Sequence, residues 1–103
     1  MGGFLFTSGQ IALDPATGVI VGTTTAEQTE QIMKNLIAVL EAAGCSVDDI
    51  VKTTCFIADM ADFAEFNEVY GKYITSAPAR SCVAAKALPK GALAEVEIIA
   101  KLK

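Results

Sequence analysis

Residues 51–58 constrain this chain more than any other stretch, because their side chains are apolar or small on both alternating faces. Val51, Thr53, Cys55 and Ile57 share one face, and Thr54, Phe56 and Ala58 the other. A strand of that kind is central and must be covered on both sides. Helical repeats flank it. After a Thr25-Ala26-Glu27-Gln28 capping box, Ile32, Leu36, Val39, Leu40 and Ala43 recur on one side of a first helix, which Gly44 ends. Asp62 with Glu65 opens a second helix, whose Phe63, Phe66, Val69, Tyr70 and Tyr73 form a buried stripe. Two helices cover one face of a sheet, and nothing else in the sequence covers the other.

The remaining elements are extended. Residues 4–13 read as a first strand, with Gly9 marking a bend or a close backbone approach. Asp14-Pro15-Ala16-Thr17-Gly18 is a turn with glycine in the left-handed position, and residues 19–21 pair back. Residues 46–50 connect the first helix to the central strand. Residues 80–88 and 93–102 are the last two strands. In the final one Ala94, Val96, Ile98, Ala100 and Leu102 alternate with Glu95, Glu97, Ile99 and Lys101. The order is hairpin, helix, strand, helix, strand, strand, an α+β arrangement in a single domain over residues 1–103.

A chain of 103 residues leaves much of its surface exposed, yet 52% of its residues are hydrophobic and its mean hydropathy is +0.46. The expectation is an oligomer that hides the uncovered face. No apolar run is long enough for a membrane-spanning helix. The net charge of -4 and pI near 4.6, without a basic run, make a poor ligand for nucleic acid or membrane. Cys45, Cys55 and Cys82 are three in number and widely spaced, which argues against a disulfide framework and for a reducing, cytoplasmic compartment. With no histidine and no zinc-like cysteine spacing, neither a metal site nor a histidine-based triad is expected. Met1-Gly2-Gly3 enters the first strand without a basic stretch, so no leader is expected.

Arg80 stands out as a candidate functional residue. Pro78 ends whatever helix precedes it, and Arg80 then places a guanidinium at the mouth of an apolar strand. Its planar donor fork matches the two oxygens of a small carboxylate, although from position alone a solvated arginine or a surface ion pair is the commoner reading, since most surface charges do little.

Seven motifs in order then point to one family: Phe6-Thr7-Ser8-Gly9-Gln10-Ile11, Asp14-Pro15-Ala16-Thr17-Gly18, Val51-Lys52-Thr53-Thr54, Phe66-Asn67-Glu68-Val69-Tyr70, Pro78-Ala79-Arg80-Ser81, Leu88-Pro89-Lys90-Gly91-Ala92-Leu93 and Glu95-Val96-Glu97. Over nearly its whole length the chain resembles the Rid (YjgF) family of reactive-intermediate enamine/imine deaminases. The resemblance implies a chorismate-mutase-like mixed sheet with two helices on one face. It also implies a homotrimer with sites in the clefts between subunits, and hydrolysis of 2-imino acids to 2-keto acids and ammonia without cofactor or metal. It assigns Arg80 to the substrate carboxylate and Glu95 to the hydrolytic water. Gly9, Asn67 and the backbone at Cys82 would line the substrate. Competing functions are a non-catalytic small-carboxylate binder and the ribonuclease or translation-inhibitor activity attached to some members. The acidic pI and absent histidine disfavour the last.

The residues themselves leave alternatives open. Glu95 and Glu97 share a strand face, and either could be the working carboxylate. Cys82 reads as a small hydrophobe rather than a nucleophile, Asn67 reads equally as a surface residue, and Tyr70 and Tyr73 fit a core stripe. The sequence also departs from the family pattern. It opens at what resembles the second strand, without the preceding segment whose Gly-Pro-Tyr tyrosine helps close the site. Ala84, Lys86 and Ala87 are unusual at their positions. An open sheet edge along residues 4–11 and a more open pocket are therefore expected. If the last two strands were a plain hairpin, Arg80 and Glu95 would lie far apart; the family fold places the central strand between them.

Overall fold

A computed structural model of the chain describes residues 3–103. Met1 and Gly2, the start of the expected leaderless run, lie outside the described residues. The regular elements are β1 (Phe4–Phe6), α1 (Thr25–Ala42), β2 (Ile50–Ile57), α2 (Phe63–Tyr73), β3 (Ala79–Ala84) and β4 (Ala94–Lys101). They form one mixed sheet in the order β1-β4-β2-β3. β4 runs antiparallel to both β1 and β2, and β2 runs parallel to β3 across the α2 crossover. The central strand therefore does separate the last two, and no terminal hairpin forms.

Both helices lie on one face. Ile32, Met33, Leu36 and Leu40 of α1 and Phe66 and Tyr70 of α2 pack on Cys55, Ile57, Ala94, Val96, Ile98 and Ala100 of the sheet, all buried. Met33 joins this surface, while Val39 and Ala43 are only half-buried. On the opposite face Phe4, Phe6 and Val83 are exposed, with Phe56 and Ile99 half-exposed between them. The uncovered apolar face is thus present as the element count requires.

Several boundaries differ from expectation for local reasons. The first strand stops at Phe6, and the chain rejoins the sheet only as a single bridge between Gln10 and Val96. The return of residues 19–21 holds: Leu13 bridges Ile20, and Gly18 takes a φ of 71° in the turn. The capping box sits one residue earlier than expected. Thr24 accepts from the Glu27 amide, and Glu27 Oε1 accepts from the Thr23 and Thr24 amides. Gln28 works elsewhere, donating to Gly22 O and accepting from the Leu93 amide. Glu65 caps no turn of α2; its carboxylate accepts from the Ala26 amide at 2.6 Å and so closes the start of α1. Asp62 likewise makes no cap bond to α2 and accepts from Thr25 Oγ1. Gly44 does end α1. At φ 76° it donates to Glu41 O while Cys45 donates to Leu40 O, the paired bonds of a Schellman motif.

In β2 a bulge at Val51 breaks the register between Ile50 and Lys52. Val51 is thereby exposed and Ile50 takes its expected place in the core. β3 ends at Ala84 rather than residue 88, because the chain leaves the β2 edge there, and β4 starts one residue later and ends one earlier than expected. No described helix is long and apolar enough to cross a membrane.

Candidate functional site

Arg80 is placed by two neighbours in sequence and one in space. Ala77, at φ 53°, and Pro78 turn the chain out of α2 and into β3. Parallel pairing then sets Arg80 beside Thr53, on the helix-bearing side of the sheet. At that point α2 presents Phe63, Asn67 and Tyr70, spaced four and three residues apart and so on one stripe of the helix. Arg80 Nη1 donates to Asn67 Oδ1 at 2.6 Å. The guanidinium carbon lies 4.8 Å from the Tyr70 ring centre and 5.5 Å from that of Phe63, within cation–π range. Among the described residues no carboxylate pairs with Arg80; the ion pair present joins Lys103 to Asp49. A cleft of about 260 Å³ opens beside it, lined by Asn67, Tyr70, Gly71, Ile74, Pro78 and Arg80.

Cys82 is two residues further along β3, on the same side, directly opposite Cys55. Burial pushes the Cys82 thiol up, and the Arg80 charge only partly offsets this. Burial also pushes Cys55 up to about 12. Both stay protonated at neutral pH, which suits packing residues and not nucleophiles. Tyr70 belongs to the core stripe, as expected, but also forms the floor under Arg80. Its hydroxyl bonds Thr53 Oγ1 at 2.7 Å, with both residues buried. Sequence reasoning passed over Phe63 and Tyr70 as site residues. The signal that could have found them is the Phe63–Asn67–Tyr70 stripe ahead of a cation that pairs back onto it.

The second group of residues lies on the opposite side of the sheet. Gln10 and Val96 exchange two backbone hydrogen bonds, of 2.8 and 3.0 Å, which bring Gly9 against Glu95. A Cβ at residue 9 would fall 2.8 Å from Glu95 Cδ and closer still to its Oε2. The Glu95 side chain thus occupies the space that the missing side chain of Gly9 leaves. Glu97 shares the face, but no described glycine has it as a near neighbour. The Glu95 side chain accepts no hydrogen bond among the described residues, so its oxygens are free.

Arg80, Asn67 and Cys82 thus come together, and Gly9 and Glu95 come together, but one chain does not join the two groups. In the sheet Glu95 lies opposite Phe56, and Phe56 opposite Val83. Arg80 is three residues from Val83 and on the other face. No group of three metal-ligating side chains occurs among the described residues.

Comparison with known proteins matches the endoribonuclease L-PSP family over residues 1–102. A RutC family protein of Synechocystis is 52% identical over 97% of this chain and 79% of its own length. The 2-iminobutanoate/2-iminopropanoate deaminase of Mus musculus is 44% identical over 93% of this chain and 72% of its own. Among solved structures, the Rid family protein YyfA of Yersinia pestis superposes with a TM-score of 0.93 at 46% identity, covering 97% of this chain and 81% of that one. E. coli TdcF with bound serine gives a TM-score of 0.90 at 42% identity over 97% and 81%.

Proposed function

Because the chain belongs to the endoribonuclease L-PSP family, which includes the YjgF, RutC and Rid proteins, we propose that it hydrolyses 2-imino acids and their enamine tautomers to 2-keto acids and ammonia. The observation that carries this reading is the unneutralised Arg80 guanidinium, fixed by Asn67 at the rim of a cleft. A 2-imino acid offers a carboxylate to that fork and an electrophilic C=N carbon beside it. Held by the carboxylate, the imine meets water without the entropic cost of a free encounter. Glu95 takes a proton from the water as it adds to the C=N carbon. It passes that proton to nitrogen to give a carbinolamine, then takes the carbinolamine hydroxyl proton and passes it to nitrogen as the C–N bond breaks, so that ammonia leaves and the carbonyl forms. The deaminase relative in mouse and the serine bound to the E. coli relative, itself a small amino acid with a carboxylate, support this substrate class.

Arg80 and Glu95 face opposite ways in one chain, so the complete site forms where the Arg80 side of one copy meets the Glu95 side of another. The exposed Phe4, Phe6 and Val83 give that contact its apolar surface, and a homotrimer is the assembly proposed. The chemistry needs no cofactor or metal. Three free cysteines suit a reducing, cytoplasmic compartment. Acidic charge and a lack of histidine oppose RNA cleavage.

The test follows the loss of an imine generated by a pyridoxal-phosphate dehydratase, with and without the protein. Faster loss supports the deaminase; binding of a 2-keto acid with no acceleration leaves only a carboxylate binder. Arg80→Ala should abolish turnover with assembly intact, since a charge-assisted bidentate pair contributes roughly 1.5–3 kcal/mol, or about 10- to 150-fold in affinity. Retained activity in a folded Arg80→Ala protein overturns the assignment.

A further inference from the structure

The geometry points to Tyr70 as a positioning residue that sets the direction of the Arg80 guanidinium, with Thr53 holding the ring and Phe63 and Asn67 completing the cradle. For its functional consequence this rests on Arg80 being the carboxylate anchor. Arg80 is exposed at the edge of the sheet, where an arginine side chain ordinarily samples many rotamers. Here three contacts act on one group. Asn67 Oδ1 takes a proton of Nη1 at 2.6 Å, and the rings of Tyr70 and Phe63 lie 4.8 and 5.5 Å from the guanidinium carbon.

Of these, only the Tyr70 ring is itself fixed at its far end, by the 2.7 Å bond to the buried Thr53 hydroxyl. Thr53 is also the residue opposite which Arg80 pairs in the sheet. The strand that carries the arginine and the ring beneath it are therefore referenced to the same residue. Asn67 uses its carbonyl oxygen on one nitrogen and leaves the other guanidinium donors free. Its contact is with Arg80, so its first role is to orient the arginine. An arginine ordered before the ligand arrives loses less freedom on binding.

The experiment compares two double variants with the wild-type protein. Tyr70→Phe/Thr53→Val keeps the ring and exchanges the hydrogen-bonded pair for apolar groups of similar shape, a nearly neutral change. Tyr70→Leu/Thr53→Val removes the ring. The first readout is ¹⁵N relaxation of the Arg80 Nε–H group without ligand. It should be ordered in the wild type, loosened in part in the Tyr70→Phe/Thr53→Val protein, whose ring has lost its anchor, and loosened most when the ring is lost. The second is calorimetric binding of 2-oxobutanoate, with KM and kcat on a generated imine. Loss of the ring should weaken binding and raise KM about two- to fivefold, with kcat little changed, because the same carboxylate contact serves ground and transition states.

Should the ring-less variant fail to fold, the wild type alone still decides. Its Arg80 side-chain protons should show ring-current shifts and a rigid Nε–H. A freely rotating Arg80 in the wild type, or equal mobility in the two variants, overturns the positioning role. If the wild type neither binds 2-oxobutanoate nor consumes imine, the deaminase reading falls, and the relaxation comparison still tests the role of Tyr70.

Discussion

At residue 9 any side chain would have to share space with the Glu95 carboxylate, since an added Cβ falls 2.8 Å from Glu95 Cδ. Gly9 is not among the glycines with positive φ, so its backbone would accept alanine. The displaced group is the far end of a flexible side chain, which yields at little cost. Gly9→Ala is therefore expected to unfold at nearly the wild-type temperature while losing most imine turnover; unchanged turnover would detach Gly9 from the site. The same contact separates the two carboxylates that sequence alone left equivalent. Glu95→Gln should spare 2-keto-acid binding and slow turnover, with Glu97→Gln near wild type, and a reversed result in steady-state kinetics would move the role to Glu97. Sequence could name Arg80, Asn67, Gly9 and Glu95 through motif order. It could not show that Glu95 fills the space left by Gly9, or that Asn67 is spent on Arg80. Those relations depend on which strand pairs with which.

Among the elements, α1 shows how a local pattern can be right in kind and wrong in place. Thr24, Thr25 and Thr23 are adjacent, and all could cap. The choice of Thr24 is tertiary, because Thr25 is drawn inward to Asp62 and Gln28 is taken up by Gly22 and Leu93. The helices, the central strand and the alternation of the last strand were legible because periodicity reports burial. The Val51 bulge and the short β1 were not, because each is decided by hydrogen bonds to β4. Thr24→Ala should cost about 1 kcal/mol in chemical denaturation. Amides of Thr23 and then Thr24 hold the Glu27 carboxyl below its ordinary 4.5. A depressed carboxyl contributes stability that is present above that value and lost as pH falls through its folded pKa. The destabilisation caused by Glu27→Ala should thus be full at neutral pH and fade below pH 4.5. A deficit that persists unchanged into acid would show that Glu27 acts by packing and not by charge.

The whole molecule has helices on one face, an apolar sheet surface on the other, and the two residues proposed for the chemistry divided between those sides. Arg80 stands with α2, and Glu95 stands on the face that neither described helix covers. A site built within one chain would need them on one side of β2, which the pairing of Glu95 with Phe56 and of Phe56 with Val83 does not allow. A site built between copies takes Arg80 from one and Glu95 from the next. These alternatives differ in one measurable way. Chains carrying Arg80→Ala and chains carrying Glu95→Gln are each expected to be impaired as pure assemblies under either scheme. If the two are unfolded together and refolded as a mixture, shared sites require that some interfaces unite an intact Arg80 with an intact Glu95. Random reassortment into cyclic trimers restores about a quarter of the wild-type sites, since three of four trimers are mixed and each holds one whole site. Activity should therefore reappear on co-refolding, and should not reappear when the two proteins are mixed without exchanging subunits. Failure to recover activity from assemblies shown by mass spectrometry to be mixed would place both residues of each site in one chain and end the shared-site reading.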